Sequence, residues 1–219
     1  MLKNILFDLD GTLTDPKVGI TRCIQFALEN AEDHYNINVP NADDLIWCIG
    51  PPLKDSFSLL LNTNEDVIIE QALASYRERF VKKGMFENFI YPNVADSLGK
   101  LRKFGFKIFL ATSKPGVFAV KILEHFKLAG FFHGIYGSEL DGRFSDKGEL
   151  VAHIIESEEL NPKATMIVGD RMYDIIGGKK NGILTAGVTY GYGSNDEIAS
   201  SKPDYVFDEI LDLLSFLGA

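Results

Sequence analysis

Four aspartates and a lysine stand at spacings suited to handling an anion. Asp8 and Asp10 lie two apart in Asp8-Leu9-Asp10-Gly11-Thr12-Leu13-Thr14-Asp15, directly after the apolar run Asn4-Ile5-Leu6-Phe7. Alternation along an extended chain sends both carboxylates to one side, and Gly11 permits a backbone turn closed to other residues. Asp170 and Asp174 follow another run, Met166-Ile167-Val168-Gly169, at a spacing that shares a helical face or a tight turn. Carboxylates packed together repel, and a divalent cation relieves them. Oxygen-only ligands favour Mg²⁺ over zinc. Thr112 ends a third run, Phe109-Leu110-Ala111, and opens Thr112-Ser113-Lys114-Pro115-Gly116, with Pro115 expected at a first helical position. The Thr112 hydroxyl and the free amides around Ser113 could hold a phosphate there. Lys147, after Ser145-Asp146 at the head of an expected helix, would add a cation.

Each piece alone has a bland reading. Asp8 to Thr12 would be a turn with solvated carboxylates, and Thr112 to Pro115 a helix cap. Asp170 to Asp174 would be another solvated turn, and Lys147 a surface lysine. Their order, and their places at the ends of apolar runs, outweigh those readings together. In an open α/β sheet, ligands bind beyond the carboxyl ends of the strands, so neighbouring strands would bring Asp8, Thr112 and Asp170 to one spot.

The elements that must do this positioning are legible as alternation. Asn4 to Phe7, Phe106 to Ala111, Ala164 to Val168, Ile183 to Val188 and Tyr205 to Phe207 read as buried strands. Between them Val94 to Phe104, Val117 to Phe126, Gly148 to Glu156, Ile175 to Lys180 and Glu209 to Leu217 read as amphipathic helices. This predicts an α/β fold, a doubly wound parallel sheet with a Rossmann-like core. From about Lys17 to Phe86 the alternation breaks into helical periodicity, interrupted by the Gly50-Pro51-Pro52 turn. The expected domains are therefore an α/β core from 1–15 and 88–219, and a helical cap from 16–87 inserted after the first strand.

With 22 Lys and Arg against 31 Asp and Glu among 219 residues, the net charge is −9. That sign excludes nucleic acid and anionic membrane as expected partners, but not a small anion in a locally cationic site. Cys23 and Cys48 form no metal-binding pattern and read as buried free thiols. No signal peptide or membrane span is apparent, so a cytoplasmic protein is expected, as a monomer or homodimer. His34, His125, His133 and His153 are scattered and read as structural.

Asp8-x-Asp10-Gly-Thr-Leu-Thr, then Thr112, Lys147, and Gly169-Asp170 with Asp174, resemble the four motifs of the haloacid dehalogenase superfamily. The resemblance spans the chain, and the insertion matches the superfamily's helical cap. Gly50-Pro51-Pro52-Leu53 and Tyr91-Pro92-Asn93-Val94 are similar to the phosphoglycolate phosphatase-like branch, and Asp10 is the carboxylate that phosphatases and mutases keep. The resemblance implies a Mg-dependent phosphatase acting on phosphoglycolate, a nucleotide or a sugar phosphate. Asp8 would be the nucleophile and Asp10 the acid and base. Asp8, the Asp10 carbonyl, Asp170 and Asp174 would surround Mg²⁺, and Thr112, Ser113 and Lys147 would hold the phosphoryl oxygens.

Trp47 and Lys54 are the cap candidates for substrate contact. Trp47 otherwise reads as cap core, and Lys54 as a solvated residue. A cap crossing the Asp15-Pro16 and Tyr91-Pro92-Asn93 segments would be expected to swing and close over the site. A β-phosphoglucomutase-like sugar-phosphate mutase uses the same pair of aspartates and is the enzymatic alternative. A receiver-like phosphoryl-sensing module is opposed by the place of Asp8 on the first strand and by the insertion.

Overall fold

The structure is a computed structural model describing residues 1–35 and 38–218, without the side chains of residues 32–35. In chain order, β1 (Asn4–Phe7) and β2 (Thr14–Asp15) precede α1 (Lys17–Tyr35), a 3₁₀ turn (Ala42–Cys48), α2 (Leu53–Leu60) and α3 (Asp66–Lys82). Then come β3 (Phe89–Ile90), α4 (Val94–Lys103), β4 (Lys107–Pro115), α5 (Gly116–His125), β5 (Gly134–Ser138) and α6 (Lys147–Ser157). The chain ends with β6 (Thr165–Gly169), α7 (Met172–Lys180), β7 (Leu184–Val188), α8 (Asn195–Ser201), β8 (Tyr205–Phe207) and α9 (Ile210–Leu217). It divides into two compact units, residues 1–15 with 90–219, and residues 16–89.

The first unit is built on a six-stranded sheet in the order β5-β4-β1-β6-β7-β8, and each recorded pairing is parallel. Apolar side chains point to both faces. Leu6, Phe109, Ala111 and Ile167 pack against Leu150, Val151 and Ile154 of α6. On the opposite face Ile5, Phe7, Ile108, Leu110, Met166 and Val168 are equally buried. A strand covered on both sides has no polar alternation, which explains the near-continuous apolar runs. The fold is the doubly wound α/β fold expected from the sequence.

The chain moves from β1 to β4 and β5 on one side, then returns to β6 on the other. Phe7 is in register with both Leu110 and Val168, so Asp8 follows at the level of Ala111 and Gly169, while β4 runs on to Pro115. That reversal point, at the carboxyl ends, is where an open sheet leaves a crevice. Helices α6 and α7 then approach closely. A Cβ on Gly177 would lie 2.9 Å from the Lys147 carbonyl carbon. Asn181 closes the junction by donating to the carbonyls of Gly148, 2.9 Å, and Gly177, 2.8 Å.

The second unit is helical. Ile24, Ala27, Leu28, Leu73, Tyr76 and Phe80 are buried, the last two rings stacked at 5.4 Å between centroids. Arg79 forks onto both oxygens of Glu87, at 2.7 and 3.1 Å.

Two sequence readings need correction. The strand β4 continues through Thr112 to Pro115 with a register irregularity, and α5 begins at Gly116, so Pro115 is the cap and not the first helical residue. Elements β5 and α8 were not expected. The first has glycine at two of its five positions, and the second is composed largely of Asn, Asp and Ser, so neither carries a propensity signal.

The α6–α7 approach yields a test of sign. Gly→Ala inside a helix ordinarily stabilises by about 1 kcal/mol. Gly177→Ala is expected to destabilise instead, by about 1–3 kcal/mol, through overpacking. Urea unfolding compared with Gly130→Ala, where a Cβ meets nothing within 4 Å, reads the difference.

Candidate active site

At the end of β1, the Asp8 amide donates to the Val168 carbonyl at 3.0 Å, which continues the β1–β6 register for one residue. The chain then turns sharply. The amides of Leu13 and Thr14 both donate to the Leu9 carbonyl, and Gly11 sits at φ +83°. A side chain at Gly11 would be strained by that φ, and its Cβ would fall 2.1 Å from Asp170 Oδ2. The glycine of the first motif is thus required both by the turn and by the carboxylate beside it.

Lys147 opens α6, where the Asp146 side chain caps the helix by accepting from the Glu149 amide at 3.0 Å. Its ammonium reaches Asp8 Oδ1 at 3.0 Å and Asp174 Oδ1 at 2.8 Å, and donates to the Ala111 carbonyl at 2.7 Å. The lysine is 5% exposed. Burial would lower its pKa, but the carboxylates of Asp174 and Asp8 outweigh that and hold it above the ordinary lysine value. Asp174 lies in the first turn of α7, where its Oδ2 accepts from the Arg171 amide at 3.2 Å. Asp170 is fully buried between two donors, the Thr12 hydroxyl on Oδ1 at 3.2 Å and the Tyr192 amide on Oδ2 at 2.8 Å.

Oxygens of Asp8, Asp170 and Asp174 lie within 4.8 Å of one another. Asp10 stands apart from that trio in its side-chain partner: Oδ2 pairs with Lys114 at 2.7 Å, and Oδ1 is buried with no hydrogen-bond partner. Burial raises the Asp10 pKa, with Lys114 opposing. Thr112 is buried, and its hydroxyl accepts from the Lys114 amide at 3.3 Å. The Ser113 hydroxyl is turned to the Ser145 carbonyl, 3.3 Å away, and the Ser113 carbonyl accepts from Ser138 at 2.8 Å.

A model of the haloacid dehalogenase-like hydrolases matches residues 5–188. The chain belongs to that family. It is 42% identical to a 5'-nucleotidase of Pseudomonas aeruginosa over 98% of this chain and 95% of the relative. It is 28% identical to a phosphoglycolate phosphatase of Vibrio parahaemolyticus over 99% of this chain and 96% of the relative. Among solved structures, a predicted phosphatase from Clostridium acetobutylicum superposes with TM-score 0.92 at 40% identity, covering 99% of this chain and 98% of that one.

For this family member the donor set fits a hard divalent cation. Asp8, Asp170 and Asp174 when ionised carry three negative charges against the single charge of Lys147, and all the clustered ligand atoms are oxygens. The strain of that excess shows on Asp170, whose pKa is pushed up to about 8 by burial and then by the charges of Asp8 and Asp174. Burial also raises the pKa of Asp174, with Lys147 opposing.

The remaining sequence candidates lie elsewhere. Trp47 and Lys54 are on the helical unit. Trp47 is 42% exposed, which corrects its reading as cap core, and Lys54 pairs with Asp66 at 2.8 Å on the surface. Cys23 and Cys48 are buried thiols in no disulfide. His133 accepts the Ile108 amide at 3.0 Å and His153 stacks on Phe144, whereas the side chain of His34 lies outside the described residues. Sequence reading overlooked Lys114, although extended spacing places it on the side of Thr112. It also overlooked Tyr192, for which no local signal exists.

The raised Asp170 pKa has a consequence for metal-free protein. A carboxyl that binds its proton more tightly when folded makes stability fall as pH rises from its unfolded value towards its folded one. Urea midpoints in EDTA are expected to decline between pH 5 and pH 8. Asp170→Asn, which can still accept from Tyr192 and meet Thr12, is expected to flatten that decline.

Proposed function

We propose that this hydrolase cleaves a small phosphate monoester through an aspartyl-phosphate on Asp8. A nucleoside 5'-monophosphate is the first candidate substrate, with phosphoglycolate and sugar phosphates as the others. The class, phosphoric monoester hydrolase, rests on family membership and on the phosphatases and nucleotidase among its relatives. The preference for a nucleotide rests on the 42% identical 5'-nucleotidase. One observation carries the mechanism: two carboxylates two residues apart have opposite surroundings. Asp8 faces a buried ammonium, and Asp10 has a raised pKa and one oxygen buried without a hydrogen-bond partner.

In this reading an Asp8 oxygen attacks phosphorus as the bond to the leaving oxygen breaks, and Asp10 gives that oxygen its proton. Water then attacks the phosphorus of the acyl phosphate, Asp10 takes the proton back, and phosphate leaves with Asp8 restored. Lys147 neutralises the approach of one anion to another, and Thr112 with the amides near Ser113 holds the phosphoryl oxygens. Asp8, the Asp10 carbonyl, Asp170 and Asp174 would hold Mg²⁺, which supplies charge neutralisation at the phosphoryl group. Trp47 and Lys54, both exposed on the helical unit, are the residues offered for substrate choice.

The proposed setting is the cytoplasm, as a monomer or homodimer without nucleic-acid or membrane partners. Two buried thiols in no disulfide and the net charge of −9 support it. Among the described residues no helix is long and apolar enough to cross a membrane.

A panel of nucleoside 5'-monophosphates, phosphoglycolate and hexose phosphates, assayed with Mg²⁺ and with excess EDTA, tests the reading. Phosphate release from at least one ester is expected with Mg²⁺ and none in EDTA. Rapid acid quench should trap phosphate on the parent and not on Asp8→Asn. Conversion of β-glucose 1-phosphate to glucose 6-phosphate without phosphate release would make the enzyme a mutase instead.

A further inference from the structure

The segment from Tyr190 to Glu197, which joins β7 to the first turns of α8, has no part in the chemistry proposed above. It nonetheless touches the Asp170–Asp174 turn at Tyr192, Gly193 and Glu197. The Tyr190 hydroxyl donates to the Thr12 carbonyl at 2.9 Å, within the first motif. The Tyr192 amide donates to Asp170 Oδ2 at 2.8 Å, and the Tyr192 hydroxyl is bonded to Asp15 Oδ1. At Gly193 the two backbones meet: a Cβ there would lie 2.0 Å from the Asp170 carbonyl oxygen. Ser194 caps α8 by accepting from the Glu197 amide at 3.1 Å.

Glu197 completes the enclosure from the other side. Its Oε1 accepts from Arg171 Nε at 2.8 Å and from the Met172 amide at 2.9 Å. Both side chains of this ion pair are largely buried, 14% exposed for Arg171 and 18% for Glu197. Arg171 is the residue between Asp170 and α7, and its own amide is the donor to Asp174 Oδ2. One carboxylate thus fixes the peptide that separates two others.

We propose that the 190–197 segment is a clamp that aims the Asp170 and Asp174 carboxylates at a divalent cation, with Glu197 and Tyr192 as positioning residues. The assignment rests on the reading of Asp170 and Asp174 as metal-site residues. The physical case is one of preorganisation. Clustered carboxylates left to themselves rotate apart, and the clamp holds each in place by a donor that it fixes in turn. Partners of this kind behind a metal site change affinity by about 10–100-fold when removed.

The test is calorimetric titration of the full chain with Mg²⁺ alone, which reads binding without turnover. Glu197→Ala is expected to weaken Mg²⁺ binding by about 10–100-fold, and Tyr192→Phe, which frees the loop from Asp15, to weaken it in the same direction. Glu197→Gln keeps an acceptor for Met172 and should recover most of the affinity. Lys179→Ala loosens the far end of α8, where Lys179 donates to the Ser201 and Lys202 carbonyls, and should leave affinity unchanged at a similar loss of urea stability. Parental affinity in both Glu197→Ala and Tyr192→Phe overturns the assignment. Equal weakening in Lys179→Ala overturns it too, as general loosening. If parent protein binds no Mg²⁺, the metal-site reading falls and takes the clamp with it. If the parent binds and only Asp170→Asn fails to, the metal site stands and the clamp falls.

Discussion

The ammonium of Lys147 holds the site together. It is almost fully buried and bonded to Asp8, Asp174 and the Ala111 carbonyl, which belong respectively to the end of β1, the first turn of α7 and β4. A buried charge is tolerated only where it is paired and its donors are used. Lys147 meets both conditions, because its three partners come from three different elements. The demand also runs backwards into the fold. Helices α6 and α7 must come close enough for a lysine on one to reach an aspartate on the other, and a glycine at 177 permits that approach. The strands β4, β1 and β6 must also lie in register, with Phe7 beside Leu110 and Val168, so that Asp8 and the Ala111 carbonyl come to one level.

The charge balance around that lysine then gives the two motif aspartates their different characters. Asp8 shares Lys147 with Asp174 and lies among carboxylates, so its surroundings carry an excess of negative charge that a cation would relieve. Asp10 has a lysine of its own in Lys114, yet burial still outweighs that partner and raises its pKa. A carboxyl with a raised pKa beside one that faces a cation suits the acid–base and nucleophilic roles proposed for the pair. Geometry creates the difference, because the two side chains are chemically identical and two residues apart.

Much of this was legible in the chain. Apolar runs located β1, β6 and β7 to within a residue and the start of β4 likewise, because a doubly covered sheet demands them, but the end of β4 lies four residues beyond its run. The Asp8, Thr112, Lys147, Asp170 and Asp174 positions stood out because each closes such a run or opens a helix. Other features were not legible for definite reasons. Strand β5 carries too little apolar side chain to register as buried, and α8 has weak helix formers. Thr112 to Pro115 stays extended because β5 pairs alongside it, a contact that local propensity does not contain. Trp47 was weighted towards core by its size, but the 3₁₀ turn from Ala42 to Cys48 buries Leu45 and Cys48 and leaves the indole outside.

The sequence by itself determined the fold class and the family, and it put Asp8, Asp170, Asp174 and Lys147 forward, since all of these follow from periodicity and from motifs a few residues long. Tertiary structure alone decided how they are held. That Lys114 belongs to Asp10, that Ser113 turns to Ser145, and that Tyr192 and Glu197 enclose the Asp170–Asp174 turn are facts of packing between segments far apart in the chain. A short motif can name a charged group. Which donor settles on it depends on distances that exist only after the sheet has closed and the helices have docked.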